Sequence, residues 1–326
     1  MKRGALFFLI LSLSLSLGAG SLYYWGHRAF HMPGPAKQPV HLFVPRGTSL
    51  NQTAKLLRKV NAIDNPNIFV WGTLISRKDR SIKAGEYKFQ PGSSQHAILT
   101  ALTLGKTVRH RITVPEGLSV SEISKILNNT IALSGSVILP PEGSILPETY
   151  SFERGETRAG LIRRMTASMR DTVTQLWANR ADGLALENSE QAVILASIVE
   201  KETSITEERS RVAAVFLNRL RKGMRLQSDP TVVYGITRGQ RQLGRALTRK
   251  DLNSDTPFNT YRITGLPPSP ICNPGQEAIA AVLNPLNSEE LYFVADGTGG
   301  HVFAKTLAEH NRNVTKWRQL QLTKKP

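Results

Sequence analysis

The sequence predicts an α+β protein: an N-terminal membrane helix, then a small βααβ module, then a mixed helical and stranded second half. Three observations carry this prediction. One is an uncharged stretch of 22 residues, Gly4 to Trp25. Another is a strand, turn and capped helix that recur 70 residues apart. The last is a run of capped amphipathic helices that ends in a hairpin pattern and a final helix. The 326 residues, 40% of them hydrophobic, are enough for real cores and exclude a disordered tail protein. A single cysteine, Cys272, excludes disulfide-stapled and cysteine-based metal architectures and reads as a small buried residue.

As a helix, Gly4 to Trp25 rises about 33 Å, against a hydrocarbon core of about 30 Å. Lys2 and Arg3 precede it, and Tyr23, Tyr24 and Trp25 sit at its far end like an interfacial aromatic belt. Residues 1–25 are therefore expected to form a single-pass anchor in a bacterial inner membrane, with a cytoplasmic N-terminus and an extracytoplasmic, periplasmic body. The alternative is a cleaved signal peptide, because Gly18-Ala19-Gly20 before Ser21 resembles a small-residue cleavage site. Both readings export the body. Residues 26–37, with Pro33-Gly34-Pro35, read as a linker.

The formal net charge is +17, of which +4 lies in residues 1–37, +8 in 38–139 and +5 in 140–326. On an exported body the available polyanions are phospholipid head groups and cell-wall polymers. Nucleic acid is not an expected partner, since no RRM, zinc-finger or basic-zipper pattern is present. A merely solvated basic surface is the plain alternative.

Within residues 38–139, VPRGTSLNQTAKLL (44–57) aligns with VPEGLSVSEISKIL (114–127), with six identities in 14 positions. Each copy has a strand-like lead, a turn at Gly47 or Gly117, and a capping box, Ser49 with Gln52 or Ser119 with Glu122. A weaker copy begins at Tyr87 and continues to Leu102, and Pro66 to Ser76 reads as another helix. The resulting βααβ order over 38–90, with its VPxGxSLxxxAxxL opening, resembles the LysM fold. That resemblance implies N-acetylglucosamine polymers as ligand; a scaffold that holds the rest of the chain off the membrane is the alternative.

The second half, 140–322, carries the candidate chemistry. SEQAVILASIVEKETS (189–204) reads as a helix capped by Ser189. Val193, Ala196 and Ser197 share the face of Glu200, so its carboxyl is expected to be partly desolvated and raised in pKa, as a general acid requires. Glu202, about 200° away, reads as solvated, and Thr203 and Ser204 as groups that bond Glu200 or end the helix.

ILASIVEKET (194–203), VFLNRLRKGMRLQSDPTVVYG (215–235), FNTYRITGLPPSPICNPG (258–275) and LYFVADGTGGHVFAKTLAEHN (291–311) resemble the endolytic murein transglycosylase family, also called YceG-like. An EGxxxPETYxF segment, Glu142 to Phe152, adds to the resemblance. It implies that Glu200 is the catalytic acid and base. It further implies cleavage of the β-1,4 bond between N-acetylmuramic acid and N-acetylglucosamine, with 1,6-anhydromuramic ends. Peptidoglycan glycan strands are then the substrate, and peptidoglycan synthases partners. Hydrolytic glycosidases use two carboxylates. A lytic transglycosylase manages with one, because the sugar's own 6-hydroxyl attacks and positioning replaces a bound water.

Candidate substrate-binding residues are Asn218 on the helix over 207–222, Gln227, Ser228 and Asp229 in the polar turn before Pro230, and Asn259 with Tyr261 in the following loop. Each also has a structural reading: packing for Asn218, a turn or cap for Asp229, and a core position for Tyr261. Asp229 is the leading rival for a second carboxylate, ahead of Glu148. Asn273-Pro274-Gly275-Gln276 reads as a helix start with Asn273 as cap. Leu291–Ala295 and His301–Ala304 read as a hairpin, followed by a capping box of Thr306 with Glu309. His301, Glu309 and His310 match no metal spacing, so no metal or cofactor is expected. Two rival functions remain: a muramidase-type hydrolase using Glu200 and Asp229, and a non-catalytic peptidoglycan-binding scaffold.

Overall fold

The computed structural model describes residues 2–323. The chain opens with α1 (Lys2–His31), so the stretch read as linker from Gly26 stays helical for its first six residues. Leu9, Leu11, Leu13, Leu15 and Leu17 are exposed, as are Leu22, Tyr23, Tyr24 and Trp25. Among the described residues no helix is long and apolar enough to cross a membrane. Ser12, Ser14, Ser16, Gly18 and Gly20 dilute the apolar run, and the side chains of its first residues, through Leu6 and at Phe8, lie outside those described. The C-terminal turn of α1 buries Phe30.

Two compact units follow from the tertiary contacts: the chain up to His110 with Ser151–Glu156, and Arg111–Tyr150 with the chain from Thr157 on. In the first, the order after α1 is β1 (Val40–Val44), α2 (Leu50–Lys59), α3 (Pro66–Ile75), β2 (Gly85–Phe89) and α4 (Gln95–Leu104). Strands β1 and β2 pair antiparallel, with Val40 opposite Phe89 and Val44 opposite Gly85. The capping box forms: Ser49 N–H donates to Gln52 Oε1 at 2.9 Å, and Gln52 N–H to Ser49 Oγ at 3.3 Å. Asn65 caps α3 ahead of Pro66. Ser94 caps α4, and Gly105 ends it at φ 72°.

The core of this unit is Leu42, Val44, Leu57, Phe69, Tyr87 and Leu99 with their neighbours. Gly72 is where α3 meets α1, since a Cβ there would stand 2.5 Å from the Phe30 ring. The returning segment Ser151–Glu156 is held by Arg154, 3.5 Å from buried Glu86, which also bonds His110 at 2.6 Å.

The chain passes between units within β3 (Arg109–Thr113), within β4 (Thr149–Glu153) and after Glu156; β3 and β4 form one two-stranded sheet. Residues 111–139, expected to belong with the N-terminal module, therefore pack with the second unit. The second copy of the repeat caps α5 (Val120–Asn129) with Ser119 and Glu122, as its sequence predicts. Then come α6 (Arg158–Ala178), α7 (Ser189–Glu202), α8 (Thr206–Arg221), α9 (Asp229–Thr237), α10 (Arg249–Leu252) and α11 (Gln276–Leu283). The antiparallel hairpin β5 (Tyr292–Ala295) and β6 (His301–Ala304) precedes α12 (Leu307–Thr323). The secondary structure is α+β, as predicted.

Helix α7 is the centre of this unit. Seven of its residues, including Leu195, Ala196, Ile198 and Val199, are buried. They pack with Val212, Ala213 and Phe216 of α8 and Ala278, Ile279 and Val282 of α11. Its cap is Asn188, whose Oδ1 accepts from Gln191 N–H at 2.9 Å, and not Ser189. A helix buried on nearly every side can present a polar group only at its end, which is where Glu200 stands. Truncating Leu195 to alanine removes a fully buried side chain from this cluster and is expected to cost about 2–5 kcal/mol. Denaturant unfolding checks this; a loss below about 0.5 kcal/mol, the range of surface substitutions, contradicts the assigned core.

Candidate active site

Glu200 lies in the last turn of α7 with 5% of its side chain exposed. Its Oε2 accepts from the N–H of Gly275 at 2.9 Å, and its Oε1 from Arg209 at 3.3 Å. Gly275 occupies the N-cap position of α11, so the carboxylate faces a helix N-terminus whose dipole favours negative charge. Burial acts the other way and dominates: it raises the carboxyl above its usual range, with nearby Glu116 adding to the rise. The Gly275 bond, Arg209 and Lys201 partly offset this. The elevated carboxyl expected from the apolar face of the helix is therefore present.

Arg209 is the residue that sequence reasoning missed. It is buried on α8, 7% exposed, and its guanidinium reaches Glu277 at 2.6 Å, Glu116 at 3.1 Å and Glu200 at 3.3 Å. The available signal was its position: Arg209, Val212 and Phe216 fall at spacings of three and four on the apolar face of α8. Glu116 comes from the turn of the second repeat copy, where the first copy has exposed Arg46. That turn is docked by paired backbone bonds, Gly117 N–H to Asn273 O at 3.0 Å and Asn273 N–H to Leu118 O at 2.9 Å. At Gly275, φ is −73°, so the absence of a side chain is a matter of space: a Cβ would overlap the carboxyl of Glu116.

Asn273 does not cap α11, contrary to expectation. Its Oδ1 accepts from Ile145 N–H at 2.9 Å, and its Nδ2 donates to Leu118 O and to Glu142 Oε1. Glu142 also takes Val120 N–H at 2.8 Å and the Tyr234 hydroxyl at 3.2 Å. Burial raises its carboxyl as well. Ser197 works in the frame behind Glu200: its Oγ donates to Ile194 O and accepts Ile271 N–H at 3.0 Å. Thr203 serves the helix end, accepting Ile205 N–H and donating to Glu208. Cys272 is buried, with its thiol donating to Ser197 O and its pKa pushed well up by burial.

Two clefts flank this cluster. One, about 400 Å³, is lined by Gly117, Lys201, Asp229, Tyr234, Arg241 and Arg245 among others. The other, about 720 Å³, is lined by Glu116, Glu148, Asp171, Gln276 and Glu277 among others. Glu200 is a wall residue of neither; the Gly117 position, open at φ 75°, has the Glu200 Cγ 3.7 Å from where a Cβ would be.

The candidate substrate-binding residues separate into two groups. Asp229 is exposed on a cleft wall and accepts from the Tyr261 hydroxyl at 2.7 Å. Burial, reinforced by that carboxylate, raises the phenol. Gln227 is exposed beside them in a left-handed conformation, φ 52°. Ser228 is buried, and its hydroxyl donates to Glu202 at 2.5 Å. Glu202 is therefore half-buried and paired, with its carboxyl raised by burial, where solvation had been expected.

Asn218 has the structural role that was its alternative reading, and Asn259 does structural work where a sugar contact was expected. Asn218 is buried, holding Ser288 O at 2.7 Å and Glu290 O at 3.0 Å, while its Oδ1 accepts from Arg221. Asn259 is fully buried: Nδ2 donates to Leu252 O and Ser254 O, and Oδ1 accepts Tyr261 N–H. Neither amide has a donor left to offer a sugar. His301 is bonded to Glu208 at 2.7 Å, and His310 stacks on Tyr292.

Replacing Arg209 with leucine leaves Glu200, Glu116 and Glu277 without their shared cation. The expected loss of stability at pH 7 lies between the ~1 kcal/mol of an exposed pair and the ~3–5 kcal/mol of a buried one, because Glu116 and Glu277 are partly exposed. Removing the cation raises the folded-state pKa of Glu200 further above its unfolded value, so the folded state binds protons more readily and the loss shrinks as pH falls. Unfolding at pH 7 and pH 5 checks this; an equal loss at both contradicts the assigned role.

A family model described as the YceG-like family matches residues 42–316. The chain is 29% identical over 320 residues to a Bacillus subtilis protein named endolytic murein transglycosylase, covering 86% of each chain. It is 27% identical to a protein of the same name from Streptococcus pneumoniae serotype 2, covering 97% of this chain and 65% of the relative. A crystal structure of a yceG-like protein from Listeria monocytogenes matches with a TM-score of 0.50 and 29% identity, over 85% of this chain and 99% of that one. With the match running from β1 into α12 and taking in every residue of the Arg209 cluster, the chain belongs to the YceG-like family.

Proposed function

We propose that the protein is an endolytic peptidoglycan lytic transglycosylase in which Glu200 acts as general acid and then as base. It cleaves the β-1,4 bond between N-acetylmuramic acid and N-acetylglucosamine without water and leaves 1,6-anhydromuramic ends. The observation that carries this reading is the nearly enclosed Glu200 carboxyl, raised by burial yet held by one backbone N–H and one guanidinium, a pairing that Glu142 and Glu202, also raised by burial, do not share. The names of the similar proteins point the same way.

The chemistry asks one group to hold a proton and then to take one back. A raised carboxyl is protonated over a wider pH range, so it can protonate the glycosidic oxygen as the bond breaks. The carboxylate left behind is stabilised by Gly275 N–H and Arg209, and it accepts the proton of the 6-hydroxyl that attacks the same sugar. Asp229, oriented by the Tyr261 hydroxyl, together with Lys201, Arg241 and Arg245 on the same cleft, supplies an acceptor and cations for sugar hydroxyls and the lactyl carboxylate.

The membrane anchor is part of this proposal. The exposed apolar residues of α1 support it; in this reading the body lies outside the inner membrane, near nascent strands and the synthases that make them. The βααβ order of the first unit supports a LysM-like glycan-binding role for that module.

Glu200→Gln is expected to lower strand cleavage about a hundred- to ten-thousandfold. Digestion of purified glycan strands, with mass spectrometry of the ends, reads the result. Anhydro ends that persist in the mutant overturn the role of Glu200, and reducing ends from wild type overturn the transglycosylase reading in favour of a hydrolase. In the pH profile of wild-type cleavage, the rate is expected to hold above the ordinary carboxylate range and fall as pH rises through the raised pKa of Glu200. A fall already complete at the ordinary carboxylate value contradicts it.

A further inference from the structure

We propose that the face of α3 carrying Trp71, Leu74 and Ile75 rests in the interface of an anionic phospholipid bilayer, beside α1; this rests on the membrane-anchor reading of α1. The three side chains are 55%, 51% and 65% exposed, an unusual display for one helix of a packed module. They fall at spacings of three and one, on a single face.

The position of this face follows from its neighbour. Leu22 and Tyr23 of α1 and Trp71, Gly72 and Ile75 of α3 line one groove of about 510 Å³. Leu22 and Tyr23 belong to the apolar stretch Gly4–Trp25, so a bilayer that contains the stretch reaches the residues across the groove at the same depth. Phe30 seated on Gly72 fixes the two helices together at this level.

The charges complete the match. After α3 the chain presents Arg77, Lys78 and Arg80, with Asp79 already paired to Arg80 at 4.0 Å, and then exposed Lys83. Cations beside an apolar aromatic face are what a surface of anionic head groups over hydrocarbon accepts, with tryptophan preferring that boundary. The module would thus lie against the membrane through α3 and would not swing freely on the anchor.

Site-directed spin labelling of the full chain in phosphatidylethanolamine–phosphatidylglycerol vesicles tests this. Cys272 is 1% exposed and stays unlabelled, so Ile75→Cys can be labelled directly, with Leu15→Cys on α1 and Ile138→Cys on the second unit as references. The ratio of oxygen to nickel-complex accessibility at position 75 is expected to be several-fold above that at position 138, and to drop when Arg77, Lys78 and Arg80 are all replaced by glutamate. A water-like ratio at 75 with a hydrocarbon-like one at 15 overturns the proposal and leaves the anchor standing. Water-like ratios at both overturn the anchor reading and this one with it. A label at 75 shielded from both reagents, with spin–spin broadening, means a second copy covers the face, and overturns the lipid assignment.

Discussion

The guanidinium of Arg209 is the constraint on which the second unit's arrangement depends. Three carboxylates from three separate parts of the chain converge on it: Glu116 from a turn, Glu200 from α7 and Glu277 from α11. Without a cation between them, these like charges would repel one another, the more strongly because Glu200 is buried. A planar fork with several donors can serve three oxygens in fixed directions, which a lysine ammonium on a flexible stem does poorly. The register of α7 against α8 and α11, and the seat of the Glu116 turn, are therefore set by one polar group as much as by the apolar cluster behind it.

Glu200 consequently experiences opposing demands. Enclosure favours its neutral form, while the α11 N-terminus and Arg209 favour its charge. An acid that must become a base within one reaction benefits from this compromise, since a fully desolvated carboxyl would not give up its proton and a fully paired one would not hold it. Position is controlled separately from protonation: the same two donors that modulate the charge also fix both oxygens in space.

Most elements were legible because their signals are local. The capping boxes at Ser49 and Ser119, the order βααβ and the hairpin before α12 all follow from residues within a few positions of one another. The raised carboxyl of Glu200 was legible for the same reason, since its helical face is written in Val193, Ala196 and Ser197, whereas a catalytic role for it came only from the resemblance. What escaped involves contacts across long stretches of sequence. Asn259 read as a sugar ligand because an amide's partners are invisible until the chain folds; its donors, like those of Asn218, are used up by backbone carbonyls. Glu202 read as solvated because Ser228, its partner, is 26 residues away. Gly275 read as part of a helix start capped by Asn273, and its service to Glu200 depends on a neighbour, Glu116, that would collide with any side chain there.

The passages of the chain between units, through β3, through β4 and after Glu156, bear on how such a protein can be cut or recombined. The first unit is not a contiguous piece of sequence: Ser151–Glu156 completes it, and Arg154 in that segment meets Glu86. A fragment ending near His110 would leave a buried glutamate without one of its cations. A fragment starting near Arg111 would carry an orphan loop from the other unit. Exchange of the N-terminal module between relatives must therefore carry the short distal segment along with it, and a single proteolytic nick within Arg111–Tyr150 divides the first unit between two fragments, with Glu86 on one and Arg154 on the other.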